Sequence, residues 1–267
     1  MSPSALRRRL PWVLPLLAAA ALHAQTAADY LDRGNAKAAK GDPAGAIADY
    51  DRAIALDPRQ AEAFYDRGAA RDAKGDHAGA IADYDQAIAL NPKLAKAFNN
   101  RGLAKGERDD LEGAIADFSQ ALALDPNDAV AFFNRGRAKK TMDDLDGAAA
   151  DYDRAIALKA DFALAYVNRG VVREAQDRKD AAIADYDRAI ALNPKLAPAF
   201  YNRGVAREAK GDLPGAVADF KQAVAVDSAY AAAYRKLAST LRKQGDEAGA
   251  QAAEAALAKL PGRPRQP

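Results

Sequence analysis

The chain has 267 residues, no cysteine and a formal net charge of +2. The lack of cysteine excludes disulfides and zinc sites of the Cys/His type, so the fold must be held together by packing alone. A nearly neutral chain also lacks the excess of positive charge with which proteins bind nucleic acid, so nucleic acid is not an expected partner.

Residues 1–24 have the three parts of a secretory signal peptide. Arg7 to Arg9 form a basic start, residues 10–22 form an apolar run, and the small residue Ala24 precedes the expected cleavage site. The apolar run is shorter than the roughly 18 residues that span a membrane, although a retained membrane anchor is the alternative. We expect cleavage, no membrane span in the mature chain, no lipid-bearing cysteine, and a periplasmic or secreted location.

From residue 27 onward, the sequence repeats every 34 residues without insertion or deletion. A fixed period of this length is typical of a solenoid, in which each repeat packs only on its neighbours. We number the positions within each repeat from 1 to 34 and expect residues 265–267 to be a disordered tail. The expected repeats are 27–60, 61–94, 95–128, 129–162, 163–196, 197–230 and 231–264.

Five positions are the same or nearly the same in every repeat: an aromatic residue at 4, Gly at 8, Ala at 20, an aromatic residue at 24 and Ala at 27. Their spacing places each group on one helix face, so every repeat is expected to contain two amphipathic helices. The turn at residues 40–43, Lys-Gly-Asp-Pro, ends one helix and begins the next. Because Gly inside a helix costs about 1 kcal/mol relative to Ala, its recurrence predicts a close helix approach there, Gly against Ala.

This pattern closely resembles the tetratricopeptide repeat family, including Pro at position 32 in four repeats (Pro58, Pro92, Pro126 and Pro194). The resemblance implies an all-α, right-handed superhelical solenoid of seven helix–turn–helix repeats, whose first helices line a concave groove. Positions 2, 5, 6, 9, 12 and 13 would face that groove. The seventh repeat departs from the pattern with Glu254 at position 24, and we expect it to be a polar end cap.

Two charged positions change together along the chain. Position 7 is Arg and position 23 is Asp in the first six repeats, whereas the seventh repeat has Leu237 and Ala253 instead. This joint loss predicts an Arg–Asp ion pair within or between repeats. Two separately solvated charges are the alternative, because exposed ion pairs stabilise proteins little.

The sequence contains no pattern of catalytic residues. After the expected cleavage site, His77 is the only histidine, and it stands at a turn beside Asp76, where we interpret it as a solvated residue. Neither a Ser-His-Asp triad nor a metal site of His and Cys can be built from it, and no Gly-rich phosphate loop is present. We therefore expect no enzymatic activity, no cofactor and no bound metal.

Five aromatic residues lie outside positions 4 and 24 of the repeats. Phe162 and Tyr230 stand at position 34, where Leu94 and Leu196 stand in other repeats, and we expect them to pack between repeats. The other three, Tyr65, Phe133 and Tyr201, all stand at position 5. A row of exposed aromatic side chains is costly unless a partner covers it, and aromatic residues dominate the energy of many interfaces. These three are therefore candidate binding residues. Packing against neighbouring first helices is the alternative.

Position 6 carries asparagine in four consecutive repeats: Asn100, Asn134, Asn168 and Asn202. A side-chain amide can donate to and accept from an extended peptide backbone, and the row is similar to the asparagine ladder of O-linked N-acetylglucosamine transferases. With helix pairs about 9–10 Å apart and about 3.3 Å per extended residue, each amide would meet roughly every third peptide residue. Hydrogen bonding within the array is the alternative.

Charge along the expected groove is uneven, since Asp32, Glu62, Asp66 and Asp72 belong to the first two repeats and four basic residues belong to the last. A ligand with one basic and one acidic end would be oriented by this gradient, although polar end caps would look the same.

The sequence therefore predicts a non-enzymatic scaffold of the bacterial cell envelope that binds an extended peptide or a partner helix. Two alternatives remain: a self-assembling structural array, and a glycan-binding component of polysaccharide export with the position-5 aromatics stacked on sugars.

Overall fold

A computed structural model describes residues 25–260, so the expected signal peptide and the expected tail lie outside the described residues. Residues 25–260 form fourteen α-helices and no strand. Each 34-residue repeat contains two of these helices, which confirms the predicted all-α repeat fold. The helices are α1 Ala27–Ala39, α2 Pro43–Leu56, α3 Ala61–Ala73, α4 His77–Leu90, α5 Ala95–Gly106, α6 Leu111–Leu124, α7 Ala129–Thr141, α8 Leu145–Leu158, α9 Ala163–Ala175, α10 Lys179–Leu192, α11 Ala197–Ala209, α12 Leu213–Val226, α13 Ala231–Lys243 and α14 Glu247–Ala258.

The chain divides into two compact units at residue 104, within α5. In the first unit, α1 packs on α2, α3 packs on α4, and α2 packs on α3. In the second unit, the same order continues from α6 to α14, with each second helix contacting the first helix of the next repeat. First helices also contact one another, α1 with α3 in the first unit and α7, α9 and α11 in succession in the second.

Second helices begin at an aspartate cap in most repeats. The carboxylate at position 16 accepts a hydrogen bond of 2.8–3.0 Å from the backbone N–H of the glycine three residues later, which satisfies one of the free donors of the first turn. Repeat five is the exception, because α10 follows Arg178, which makes no side-chain cap. The predicted cap at Asp42, followed by Pro43 at the start of α2, is confirmed.

The turn between the two helices of a repeat has a left-handed residue at position 15. Glycine occupies it in four repeats, with φ between 78° and 85°, whereas Asp109, Asp143 and Asp177 occupy it with φ between 60° and 65°. Aspartate is among the few residues other than glycine that adopt this conformation at modest cost. The turn therefore keeps its geometry in repeats three to five without glycine.

The expected contact of Gly against Ala at the helix crossing is wrong, because the glycine at position 8 faces the aromatic ring at position 24 of its own repeat. A Cβ atom on Gly170 would lie 2.5 Å from Cε1 of Tyr186, and one on Gly204 would lie 2.7 Å from Cε1 of Phe220. The seventh repeat has Ala238 at position 8 and no ring at position 24. The glycine therefore makes room for the ring, and both are lost together.

Candidate functional site

A buried ion cluster joins the two helices of a repeat and holds its first helix in place. In the fourth repeat, Arg135 donates to both carboxylate oxygens of the buried Asp151, at 2.9 and 2.6 Å, and Nζ of Lys139 lies 2.8 Å from the same carboxylate. This confirms the predicted Arg–Asp pair. Sequence analysis missed the second cation, although Lys or Arg stands at position 11 in the first six repeats. Equivalent clusters surround Asp49, Asp83, Asp185 and Asp219.

The arginine at position 7 also reaches the preceding repeat. Nη1 of Arg169 donates to Asp153 at 2.6 Å, and Nη1 of Arg203 donates to Asp187 at the same distance. The guanidinium group lies over the ring at position 4, with 5.3 Å between Arg169 and the ring centre of Tyr166. One arginine thus links two helices of its own repeat to a helix of the repeat before it, which gives the array a common register.

The seventh repeat replaces the whole cluster with apolar side chains. Leu237 and Leu241 stand at positions 7 and 11, and Ala253 stands at position 23. All three are buried in one core with Phe220 of the repeat before. Loss of all the charged members at once is expected of a cluster that works as a unit, because a buried carboxylate without its cations would be costly.

These clusters have a structural role. Hydrogen bonds from Arg33, with help from Lys37, hold the pKa of Asp49 well below its ordinary value in spite of burial. Asp49 therefore stays ionised and has no proton to exchange near neutral pH.

His77 is also paired, since its Nδ1 lies 2.7 Å from a carboxylate oxygen of Asp72, so the interpretation as a simply solvated turn residue is wrong. Residues 25–260 contain no group of three or more His, Asp or Glu side chains that could hold a metal ion.

Positions 2, 5, 6, 9, 12 and 13 of the first helices form the surface that sequence analysis assigns to a partner, here called the first-helix face. Phe133 was expected to be exposed there, and this is wrong, because it is only 8% exposed. Its ring centre lies 4.8 Å from that of Phe162 and 5.9 Å from that of Tyr152. Phe133 is therefore part of a core that also includes Ala165 and Val172 of the next first helix.

Tyr65 and Tyr201 are half-buried in the same manner. The ring of Tyr65 lies 5.9 Å from that of Tyr84, and the ring of Tyr201 lies 5.9 Å from Phe220 and 5.2 Å from Tyr230. The position-5 aromatics therefore pack on rings of their own repeat, at positions 24 and 34. They also contact the first helix of the next repeat, where Nζ of Lys96 lies 4.1 Å from the ring centre of Tyr65, so the alternative of packing against neighbouring first helices holds as well.

The asparagines of position 6 make hydrogen bonds within the protein. Asn100 donates to the hydroxyl oxygen of Tyr65 at 3.0 Å. Asn168 donates to the backbone carbonyl of Leu164 at 2.9 Å and accepts a hydrogen bond of 3.1 Å from Lys140. Asn134 is buried, whereas Asn202 is half-buried. The sequence alternative of hydrogen bonds within the array therefore holds for Asn100 and Asn168.

Comparison with known families covers most of the chain. Models described as tetratricopeptide repeat match residues 31–95, 95–128, 129–162 and 163–196, and a model described as TPR repeat matches residues 207–245. No curated protein matches the chain at a significant level. None of the helices in residues 25–260 has the length and apolar character that a membrane crossing requires.

Solved structures share the fold. MamA is 29% identical and superposes with a TM-score of 0.57 over 60% of this chain and 94% of its own. YrrB, a TPR protein described as having an unusual peptide-binding site, is 21% identical, with a TM-score of 0.59 over 69% of this chain and 95% of its own. A tetratricopeptide repeat protein from Parabacteroides merdae is 16% identical, with a TM-score of 0.70 over 90% of this chain and 95% of its own.

Proposed function

Because the chain belongs to the tetratricopeptide repeat family, we propose that it is a non-enzymatic scaffold that binds an extended peptide or a partner helix along its first-helix face. The observation that carries the proposal is the succession of first helices in the second unit, where α7, α9 and α11 contact one another. Ion clusters hold these helices in register, so their position-6 side chains stand one repeat apart. YrrB, which has the same fold, is a protein described as peptide-binding.

The partly exposed members of the first-helix face supply the contacts. In the first unit these are Tyr65 and Asn100, and in the second they are Asn168, Tyr201 and Asn202. Tyrosine hydroxyls and side-chain amides can exchange hydrogen bonds with a peptide backbone. Phe133 and Asn134 are buried, so they support the first-helix face from the protein interior. A preformed surface of this kind suits a segment that becomes ordered on binding.

Photo-crosslinking tests the proposal. A photoreactive benzoylphenylalanine would replace Asn202, on the first-helix face, and in a matched variant it would replace Ala184, which is exposed on the second helix α10 of the preceding repeat. We expect an adduct with one other protein from the Asn202 variant, mapping to a single short segment of that protein, and none from the Ala184 variant. An adduct between two copies of this chain would favour the self-assembling array, and an adduct with polysaccharide would favour the glycan-binding role. Equal adducts from both variants would refute binding at this face.

We further propose that the scaffold works in the bacterial cell envelope, in the periplasm or outside the cell. The order of basic, apolar and small residues in residues 1–24 supports this location. Amino-terminal sequencing of the protein purified from the periplasm should begin at Gln25. Recovery of the chain from the cytoplasm with residues 1–24 intact would contradict the proposal.

A further inference from the structure

A cavity of about 470 Å³ lies in the first unit, where α1, α2 and α3 meet. This volume is within the range of about 300–1,000 Å³ that is usual for ligand pockets. Its walls include the small side chains of Ala38, Ala69 and Ala73, and its polar groups come from Asn35, Tyr50 and Asp66. The cavity is therefore largely apolar, with one carboxylate.

The first repeat has a small residue, Ala38, at position 12, and this residue lines the cavity. In the fourth and sixth repeats, position 12 carries a long side chain that contacts position 6 of the next repeat. Nζ of Lys140 donates to Asn168 at 3.1 Å, and Glu208 accepts a hydrogen bond of 2.8 Å from Lys236. Position 12 of the first repeat is Ala38, which cannot reach the next position 6. The space that a longer side chain would fill is left open.

Asp66 is the position-6 residue that faces this space. It is half-buried, and within residues 25–260 it forms no ion pair with a cation. Burial raises the pKa of its carboxyl group above the ordinary value, and the charge of Lys96 and a hydrogen bond with Asn35 oppose the shift only in part. Burial and the nearby charge of Asp66 also raise the pKa of Tyr50 to about 12.

The chemistry of the cavity fits a long basic side chain. A partly buried carboxylate without a direct ion pair is unfavourable, and a cation from a ligand would relieve that cost through a charge-assisted hydrogen bond. Lysine and arginine also carry an apolar stem, which can pack along alanine side chains while the charged end meets the carboxylate. Asn35 is held in place by the hydroxyl of Tyr50, which donates to it at 2.7 Å.

We propose that this cavity binds a single lysine or arginine side chain of the partner peptide, with Asp66 pairing with the cation and Ala38, Ala69 and Ala73 lining the stem. The inference rests on the proposed peptide-binding function and deepens it, because it specifies the chemistry of one residue of the peptide. The acidic Glu62, on the same helix, adds to the attraction for a basic group.

The experiment uses the full chain and two small probes of nearly equal shape, the n-butylguanidinium cation and the neutral n-butylurea. Binding is followed by the NMR shifts of the backbone amides of Ala38, Ala69 and Ala73. We expect saturable shifts with n-butylguanidinium and at least tenfold weaker binding of n-butylurea. Asp66→Asn should weaken n-butylguanidinium binding at least tenfold. Asp32→Asn changes the exposed aspartate at position 6 of the first repeat, and it should leave binding unchanged.

A second variant tests the role of Ala38. Ala38→Lys places at position 12 the residue type that Lys140 has in the fourth repeat, where it reaches position 6 of the next. Its side chain should fill the cavity, pair with Asp66 and abolish n-butylguanidinium binding, while the helical circular dichroism stays unchanged. Equal binding of the charged and neutral probes, or full binding by Asp66→Asn or Ala38→Lys, would overturn the proposal.

The two proposals can fail separately. If n-butylguanidinium binds as expected but the Asn202 crosslinks yield no protein partner, the cavity stands and the scaffold function fails. If the crosslinks yield a partner segment and n-butylguanidinium does not shift the cavity amides, the scaffold function stands and the assignment of the cavity to a basic side chain is wrong.

Discussion

Gly170→Ala tests the packing that sets the distance between the two helices of a repeat. A Cβ atom at this position would lie 2.5 Å from Cε1 and 2.9 Å from Cζ of Tyr186. Contacts this short do not occur between well-packed carbon atoms, whose preferred separation is about 3.5–4.0 Å. Tyr186 is fully buried, so its ring has little room to move away.

Two opposing effects determine the size of the change. Alanine in place of glycine inside a helix stabilises by about 1 kcal/mol. Overpacking of a filled core costs about 1–3 kcal/mol, and the upper part of that range applies where the contact is so short and the ring so enclosed. We therefore expect Gly170→Ala to lower the free energy of unfolding by about 1–2 kcal/mol, taking the difference of those two effects.

Removal of the ring should reverse the sign. In a Tyr186→Leu background the clashing ring is absent, so Gly170→Ala should raise the free energy of unfolding by up to about 1 kcal/mol. The seventh repeat already has this arrangement, with Ala238 at position 8 and no ring at position 24. The two substitutions should therefore be strongly coupled, as residues in direct contact usually are.

Urea unfolding followed by far-ultraviolet circular dichroism measures all four chains of this cycle. Gly106→Ala is the matched control, because a Cβ atom there would meet nothing within 4 Å. It should not lower the free energy of unfolding. An equal loss from Gly170→Ala with and without the Tyr186 ring would refute the argument that the glycine exists to make room for it.

Three further predictions concern the ion clusters and the turns. Asp151→Ala should lower the free energy of unfolding by about 3 kcal/mol, because it leaves two cations without their carboxylate. The triple variant, which adds Arg135→Leu and Lys139→Leu and so copies the seventh repeat, should regain most of that loss. Asp143→Gly should raise the free energy of unfolding by about 1 kcal/mol, since its φ of 63° strains a residue with a side chain. The pKa of Asp49 is lowered in the folded state, so the ionised carboxylate stabilises the fold above the unfolded pKa of about 3.9, and this contribution is lost as the pH falls below that value. Asp49→Asn removes the titrating group, so the variant should lose less stability in acid than the parent chain.

Urea unfolding checks the first two, and unfolding at a series of pH values from 7 to 2 checks the third. An equal loss in Asp151→Ala and in the triple variant would show that the cluster does not act as a unit. A lower urea midpoint for Asp143→Gly would show that its side chain stabilises the turn. Parallel acid profiles for the parent chain and Asp49→Asn would contradict the role assigned to its lowered pKa.

The repeat length, the two helices in each repeat and the Arg–Asp pair could all be predicted from the sequence. The physical reason is that these features are local or recur with the period. Helical spacing determines which residues share a face, and each repeat packs only on its neighbours, so one set of contacts is copied along the chain. The joint loss of Arg and Asp in the seventh repeat, at Leu237 and Ala253, marked a pair that is 16 residues apart in the others.

Other features were decided only by the tertiary structure. Whether Phe133 is exposed depends on rings 19 and 29 residues further along the chain, at Tyr152 and Phe162, and spacing along one helix does not show that they meet. The position of the Tyr186 ring, which lies against Gly170 and not against an alanine, also depends on how the two helices of the repeat pack together. The cavity beside Asp66 is also lined by the small side chain of Ala38, 28 residues earlier, and spacing along one helix does not bring these two residues together. A periodic sequence thus determines the contacts that every repeat shares, whereas the contacts that make one repeat different depend on which side chains the packed helices bring together in space.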